Sequence, residues 1–244
     1  MVMVHGMSQD HRVFDRQVGA FRPQYRILLI DLPGHGLSSD AAGPFGHMEF
    51  AAHVGHALDA HGVENAHYWG THTGATVGLW LAATARARFR SLILEGPVVP
   101  GENPKVVVEA IDLARKTAES EGVAAAITGW WRESCWFEHM RTNSLECRAA
   151  EHLSILMEFG GRPWTDASPV QPVDDIKPRL ADIAIPTLIY NGAADHPEFL
   201  DVARFLESAS PHARRHVVEN SGGFPGWENP GAVNALVTEF TREE

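Results

Sequence analysis

The sequence predicts an α/β fold with a mostly parallel sheet and a helical insertion, on three observations. Short continuous apolar runs end at glycine or at polar turn residues, as at Arg26–Asp31 (RILLID) and Ser91–Gly96 (SLILEG). Such runs suit strands buried on both faces of a parallel sheet. Helical stretches alternate with them, the pattern of βαβ units. The alternation stops after Gly96 and resumes near Pro186, leaving a strandless stretch in between.

Taken in order, Val2–Val4 is a short buried strand ending at His5-Gly6. Residues 10–20 form a short amphipathic helix, and Arg26–Asp31 is a strand that turns at Leu32-Pro33-Gly34. Met48, Ala51, Ala52, Val54 and Leu58 recur at helical spacing and place a helix over 47–60. A strand at His67–Thr71 leads into a small-residue helix over 74–86, and Ser91–Gly96 is the next strand. Residues 104–160 read as helical throughout and carry Trp130, Trp131 and Trp136, with Trp164 beyond. A proline-rich connector (Pro163, Pro169, Pro172, Pro178) leads back to strands at Pro186–Tyr190 and Arg214–Glu219 and helices at Pro197–Ser208 and Gly231–Phe240. The domain reading is a core of residues 1–97 and 183–244, with a helical cap at 98–182.

Composition narrows the function. With 20 Lys plus Arg against 31 Asp plus Glu, the net charge is −11. Nucleic acid and anionic membrane call for a basic footprint, so neither is an expected partner. Two cysteines, Cys135 and Cys147, cannot build a disulfide framework or a four-cysteine zinc site and read as free core thiols. No apolar run reaches the ~18 residues of a membrane span, and the N-terminus has no signal-peptide pattern, so a cytoplasmic location is expected. A small-molecule substrate is expected, with no metal and no cofactor.

The chemistry centres on Gly70-Thr71-His72-Thr73-Gly74, between a strand and a helix. Its spacing is that of a nucleophile elbow, where small flanking residues permit a turn sharp enough to raise the central side chain above the sheet. The central residue is His72, not serine, cysteine or aspartate. Around it stand His5-Gly6, Asp31-Leu-Pro-Gly-His-Gly-Leu-Ser38, Ile185–Asp195 (IPTLIYNGAAD) and Asn220–Pro230 (NSGGFPGWENP). In order and spacing these five segments resemble the α/β-hydrolase superfamily over nearly the whole chain.

The resemblance implies an α/β-hydrolase fold with a cap, and it assigns roles residue by residue. His72 takes the nucleophile position and Asp195 the acid position. Gly223, in Gly222-Gly223-Phe224-Pro225, stands where the family carries its histidine base. Backbone N–H groups of Met7 and Thr73 take the oxyanion hole. A serine triad needs a hydroxyl or thiol, a histidine and an acid, and two of these are absent. The expectation is therefore an atypical member using non-covalent acid/base chemistry on an ester, a lactone or a C–C or C–O bond. Alternatives are a lyase or isomerase step in the same pocket, or ligand binding without turnover.

In that reading His72 leans into the space left by Gly223 and pairs with Asp195, with Glu95 as the other candidate partner and His196 as a rival base. His5, Gly6, Trp130, Trp131, Trp136, Gly223 and Phe224 are expected to border the substrate, one of Trp130 and Trp131 facing it and the other packing internally. His35 reads as structural, His53, His56 and His61 as decoration of a solvated helix, and Glu228 as a cap of the last helix. The family's first two strands have no counterpart in the sequence, so the sheet has six strands, with Arg26–Asp31 at an edge. A bare apolar edge invites pairing, which predicts a homodimer contact there or a shortened chain.

Overall fold

The computed structural model describes residues 1–84 and 88–243. Six strands, β1 (Val2–Val4), β2 (Leu28–Ile30), β3 (Ala66–Thr71), β4 (Phe89–Glu95), β5 (Thr187–Gly192) and β6 (Ala213–Val218), form one sheet in the order β2-β1-β3-β4-β5-β6. Every pairing is parallel. This is the α/β-hydrolase arrangement expected from the sequence, with β2 at the edge.

The strands are apolar on both sides because both faces of the sheet are covered. Successive side chains alternate between faces. Met3, Trp69, Ile93 and Tyr190 enter one core, while Val2, Val4, Tyr68, Leu92, Leu94 and Ile189 enter the other. Helices α1 (Asp15–Phe21) and α11 (Pro230–Arg242) cover the first face through Phe21, Val233, Val237 and Phe240. Helices α2 (His47–Ala60), α3 (Thr73–Thr84) and α9 (Pro197–Ala209) cover the second through Phe50, Val54, Val77, Leu81 and Leu206. The helix expected over 74–86 is thus seen to Thr84, and the rest of that expectation lies outside the described residues.

Between β4 and β5 run α4 (Lys105–Glu121), α5 (Val123–Glu133), α6 (Glu138–Thr142), α7 (Ala149–Met157) and α8 (Arg162–Thr165). The expected long helical stretch is broken at Gly122 (φ 93°) and at Arg148 (φ 49°), where the backbone takes a positive φ. A short 3₁₀ turn, Cys135–Phe137, follows α5. The last short helix, α10 (Pro225–Glu228), precedes α11 and was not anticipated. Among the described residues no helix is long and apolar enough to cross a membrane.

Candidate active site

The loops after β1, β3 and β4 meet the helical segment above the carboxyl ends of the strands. There they enclose a cavity of about 340 Å³. This is where open parallel sheets place ligands.

The elbow is built as its spacing requires. A Cβ at Gly70 would stand 2.4 Å from the Ala75 nitrogen, and one at Gly74 would stand 2.1 Å from the Val4 carbonyl oxygen. Only glycine allows β3, α3 and β1 to approach so closely. His72 sits at the apex with φ 45°, a left-handed conformation costing a non-glycine residue roughly 1–3 kcal/mol. Its amide donates to the Glu95 carbonyl at 2.7 Å, and its carbonyl accepts from the Thr76 amide at 2.9 Å. The ring borders the cavity, 4.4 Å from the Phe224 ring between centroids.

The ring does not meet Asp195. His72 Nε2 lies 2.7 Å from the Gly223 carbonyl oxygen. A carbonyl only accepts, so Nε2 carries the hydrogen and Nδ1 keeps its lone pair. Burial pushes the imidazole down to about 4, with the Gly223 carbonyl pulling the other way. The ring is therefore neutral at physiological pH. The expected His72–Asp195 pair is corrected in this respect: His72 does reach the 223 loop, but it finds a backbone carbonyl.

The reason is steric. A Cβ at Gly223 would lie 2.6 Å from both Trp136 Cβ and the Trp136 carbonyl oxygen. The 3₁₀ turn occupies the space a side chain at 223 would need. Asp195 is engaged within its own loop, taking the Asn191 amide and the His196 backbone N–H, each at 2.8 Å. Burial raises its carboxyl to about 7.

The other two candidates are likewise placed elsewhere. Glu95 Oε2 accepts the Gly226 N–H at 2.7 Å, and its carboxyl also bonds the Tyr190 hydroxyl. Burial raises it to about 8, so it is a neutral acid at pH 7. His196 Nδ1 accepts the Glu198 N–H at 3.4 Å, at the start of α9, and acts as a helix cap. Neither borders the cavity.

The oxyanion candidates, Met7 and Thr73, both border the cavity, and no backbone carbonyl among the described residues takes either N–H. Gly6, Trp130, Trp136 and Phe224 line it as well. His5 does not, contrary to expectation. It is fully buried, donates from Nδ1 to the Gly6 carbonyl at 2.7 Å and accepts the Leu32 N–H on Nε2 at 2.9 Å. Its work is to join the two loops. Trp131 turns from the cavity to pack on Phe137 and His152, so the two tryptophans face apart. Gly223 contributes its carbonyl to His72 rather than a cavity wall. Glu228 does not cap α11: it takes the Gly222 N–H, and Asn229 Oδ1 takes the Ala232 N–H at the helix start. His35 is structural, taking the Ser8 N–H at 3.2 Å.

Several wall residues were not anticipated from the sequence. Phe45, Phe50, Ile111, Trp164 and Phe199 supply apolar surface, and Arg115 is the one Lys or Arg among the described residues that line the cavity. Ile111 and Arg115 stand four apart on α4, so a helical face was the available signal.

A family model described as alpha/beta hydrolase fold matches residues 1–135. The chain is 28% identical over 208 residues to 3-oxoadipate enol-lactonase 1 of Acinetobacter baylyi, covering 85% of this chain and 75% of that protein. It is 26% identical over 255 residues to a 2-hydroxy-6-oxononadienedioate/2-hydroxy-6-oxononatrienedioate hydrolase of Burkholderia vietnamiensis, covering 99% and 86%. Among solved structures, MenH from S. aureus superposes with a TM-score of 0.81 at 20% identity, covering 100% of this chain and 94% of that one. At that identity the likeness speaks for the fold alone.

Proposed function

Because the chain belongs to the α/β-hydrolase fold family, we propose that it is an enzyme cleaving an ester, a lactone or an activated C–C bond of a small organic acid, with His72 as general base and no acyl-enzyme. The observation that carries this is the state of His72. It stands at the elbow apex, borders the cavity and is held neutral, with Nε2–H tied to the Gly223 carbonyl and Nδ1 free to accept.

For an ester or lactone, the substrate carbonyl oxygen sits between the N–H groups of Met7 and Thr73. Water attacks the carbonyl carbon while its proton passes to His72 Nδ1. The negative charge moves onto the carbonyl oxygen, where the two N–H groups stabilise it. The intermediate then collapses, the C–O bond to the leaving group breaks, and Nδ1 returns the proton to that oxygen. The Gly223 carbonyl keeps the ring oriented throughout. Burial disfavours the imidazolium, so the proton is held only in passing. The same base beside the same N–H pair serves a lyase or isomerase step, where it takes a proton next to a carbonyl.

The apolar walls and Arg115 favour a substrate with a hydrophobic body and a carboxylate. The relatives named above carry oxoadipate and nonadienedioate in their names, both carboxylic acids, in line with that choice. Asp112 borders the same cavity, so the carboxylate is expected at the Arg115 side.

The test is an assay of the purified protein against enol-lactones and esters with and without a carboxylate, with intact mass measured during turnover. Turnover by an unmodified protein, lost in His72→Ala, supports the reading. A covalent adduct on any residue, or full activity in His72→Ala, overturns it. The filled slot at Gly223 favours one second reading, ligand binding without turnover. It predicts saturable binding of the same acids and no product.

A further inference from the structure

Behind the cavity wall lies a second, smaller space that the chemistry above does not use. Gln9 Oε1 accepts the Gly6 N–H at 3.1 Å, and Gln9 Nε2 lies 3.0 Å from His152 Nε2. The first contact fixes the amide's orientation, because an N–H needs the oxygen opposite it. The second therefore has Gln9 donating and His152 Nε2 accepting. The hydrogen of the neutral His152 ring must then sit on Nδ1. That atom is buried and has no partner among the described residues.

Thr71 Oγ1 is buried and unpartnered in the same way. Both residues border a void of about 10 Å³, together with Gln9, Glu95 and Tyr190. All five are at most 5% exposed. The rest of the lining is largely apolar, with Val13, Phe14, Trp69, Phe224 and Trp227, so the unpartnered Nδ1 and Oγ1 are what would hold a water there. A void of about 10–15 Å³ is the size that holds one water, and a buried polar group without a partner costs roughly 1–3 kcal/mol.

His152 belongs to α7, within the helical segment between β4 and β5, and is packed on four sides by Trp131, Phe137, Phe224 and Trp227. Gly6 precedes Met7, and Thr71 precedes His72.

We propose that Gln9 and His152 are positioning residues through which α7 holds the loop carrying the Met7 N–H, and that one water in the void, accepting from His152 Nδ1–H and donating to Thr71 Oγ1, ties the same ring to the end of β3. The hydrogen-bonded path runs from Gly6 through Gln9, His152 and the water to Thr71. It joins the oxyanion loop, the elbow strand and the helical segment, so a shift of α7 moves the oxyanion donor. The catalytic consequence rests on the function proposed above; the hydrogen-bond path does not.

The experiment uses 15N-labelled whole protein. Side-chain nitrogen NMR of the wild type is expected to show His152 neutral with its proton on Nδ1 and His72 neutral with its proton on Nε2. A proton on His152 Nε2 overturns the path. A high-resolution crystal structure is expected to show one water within hydrogen-bond distance of both His152 Nδ1 and Thr71 Oγ1, and a dry void overturns that link. In Gln9→Met, or in His152→Phe where it folds, the Gly6 amide resonance is expected to move and its hydrogen exchange to accelerate. An unmoved Gly6 overturns the tie.

Given turnover, kcat is expected to fall about tenfold in Gln9→Met with KM nearly unchanged. Gln9→Glu keeps an acceptor for the Gly6 N–H and is expected to recover part of that loss. An unchanged kcat in Gln9→Met overturns the positioning role. A protein with no turnover at all defeats the proposed function while leaving the NMR and crystallographic outcomes decisive for the path.

Discussion

The elbow at 70–74 and the loop at 221–225 meet at one hydrogen bond, yet they are built very differently. The elbow has two glycines at close approach, a strained apex, and Thr73 bordering the cavity. The 221–225 loop has no room for a side chain at Gly223, because the turn at Cys135–Phe137 fills that space. The partner of the apex residue is the backbone carbonyl of Gly223. The difference teaches that a sharp turn is fixed by its own glycines, while the room beside a neighbouring loop is set by a segment distant in sequence.

The largest effect is expected at the apex. His72→Ala leaves the donors of Met7 and Thr73 in place and removes the base. We expect activity to fall on the order of a hundredfold or more, the usual worth of a positioned base. The wild-type pH profile should agree. Because burial holds His72 near 4, activity should stay level through neutral pH and fall only as pH drops through about 4. A midpoint near the ordinary histidine value would mean that another group is the base.

The next effect is expected from a histidine at 223. Gly223→His must push aside Trp136 Cβ and the Trp136 carbonyl, both 2.6 Å from the new Cβ. Overpacking of this kind costs roughly 1–3 kcal/mol, to be read from denaturant unfolding. For the same reason His72→Ser combined with Gly223→His should yield no esterase. Activity in that double variant would show that the turn yields readily and that the two loops differ less than their geometry suggests.

What the sequence revealed follows from how local each constraint is. The elbow is legible because its glycines lie two residues on either side of the apex. The strands were legible because burial on both faces leaves an unbroken apolar run. The obstruction by Trp136 was not, since nothing near Gly223 announces a residue from the helical segment. His5 was misread because its motif places it beside the oxyanion loop, while its ring turns back to Leu32. The pairing of His72 with Asp195 is absent because His72 Nε2 bonds the Gly223 carbonyl, while Asp195 bonds Asn191 and the His196 N–H within its own loop.

A smaller effect is expected at Arg115. It is exposed, so its attraction for a carboxylate is screened, and pairs of that kind are worth at most about 1 kcal/mol. Arg115→Gln should raise KM for a carboxylate-bearing substrate roughly fivefold while leaving kcat and the neutral ester unchanged. Equal loss on both substrates would mean that α4 shapes the cavity rather than reads charge.

The smallest effect on activity is expected where a triad would show one of its largest. Asp195→Asn removes the family's acid, yet the carboxylate makes no bond to His72. The new amide keeps its oxygen on the His196 N–H and turns its NH₂ toward Asn191. Asn191 Oδ1 is buried and unpartnered among the described residues, so rotating the Asn191 amide turns a donor–donor clash into a hydrogen bond. Activity should change by less than about threefold. Stability should move with pH instead. Asp195 is raised to about 7 in the folded chain against 3.8 unfolded, so the folded state binds the extra proton between these values. The stabilisation this gives is complete below the unfolded value and is lost as pH rises through about 7. The amide variant has no such proton to lose, so denaturant unfolding at pH 5 and pH 8 should show it gaining on the wild type at the higher pH. A large loss of activity with no such pH trend would return Asp195 to the catalytic centre and erase the contrast between the two loops.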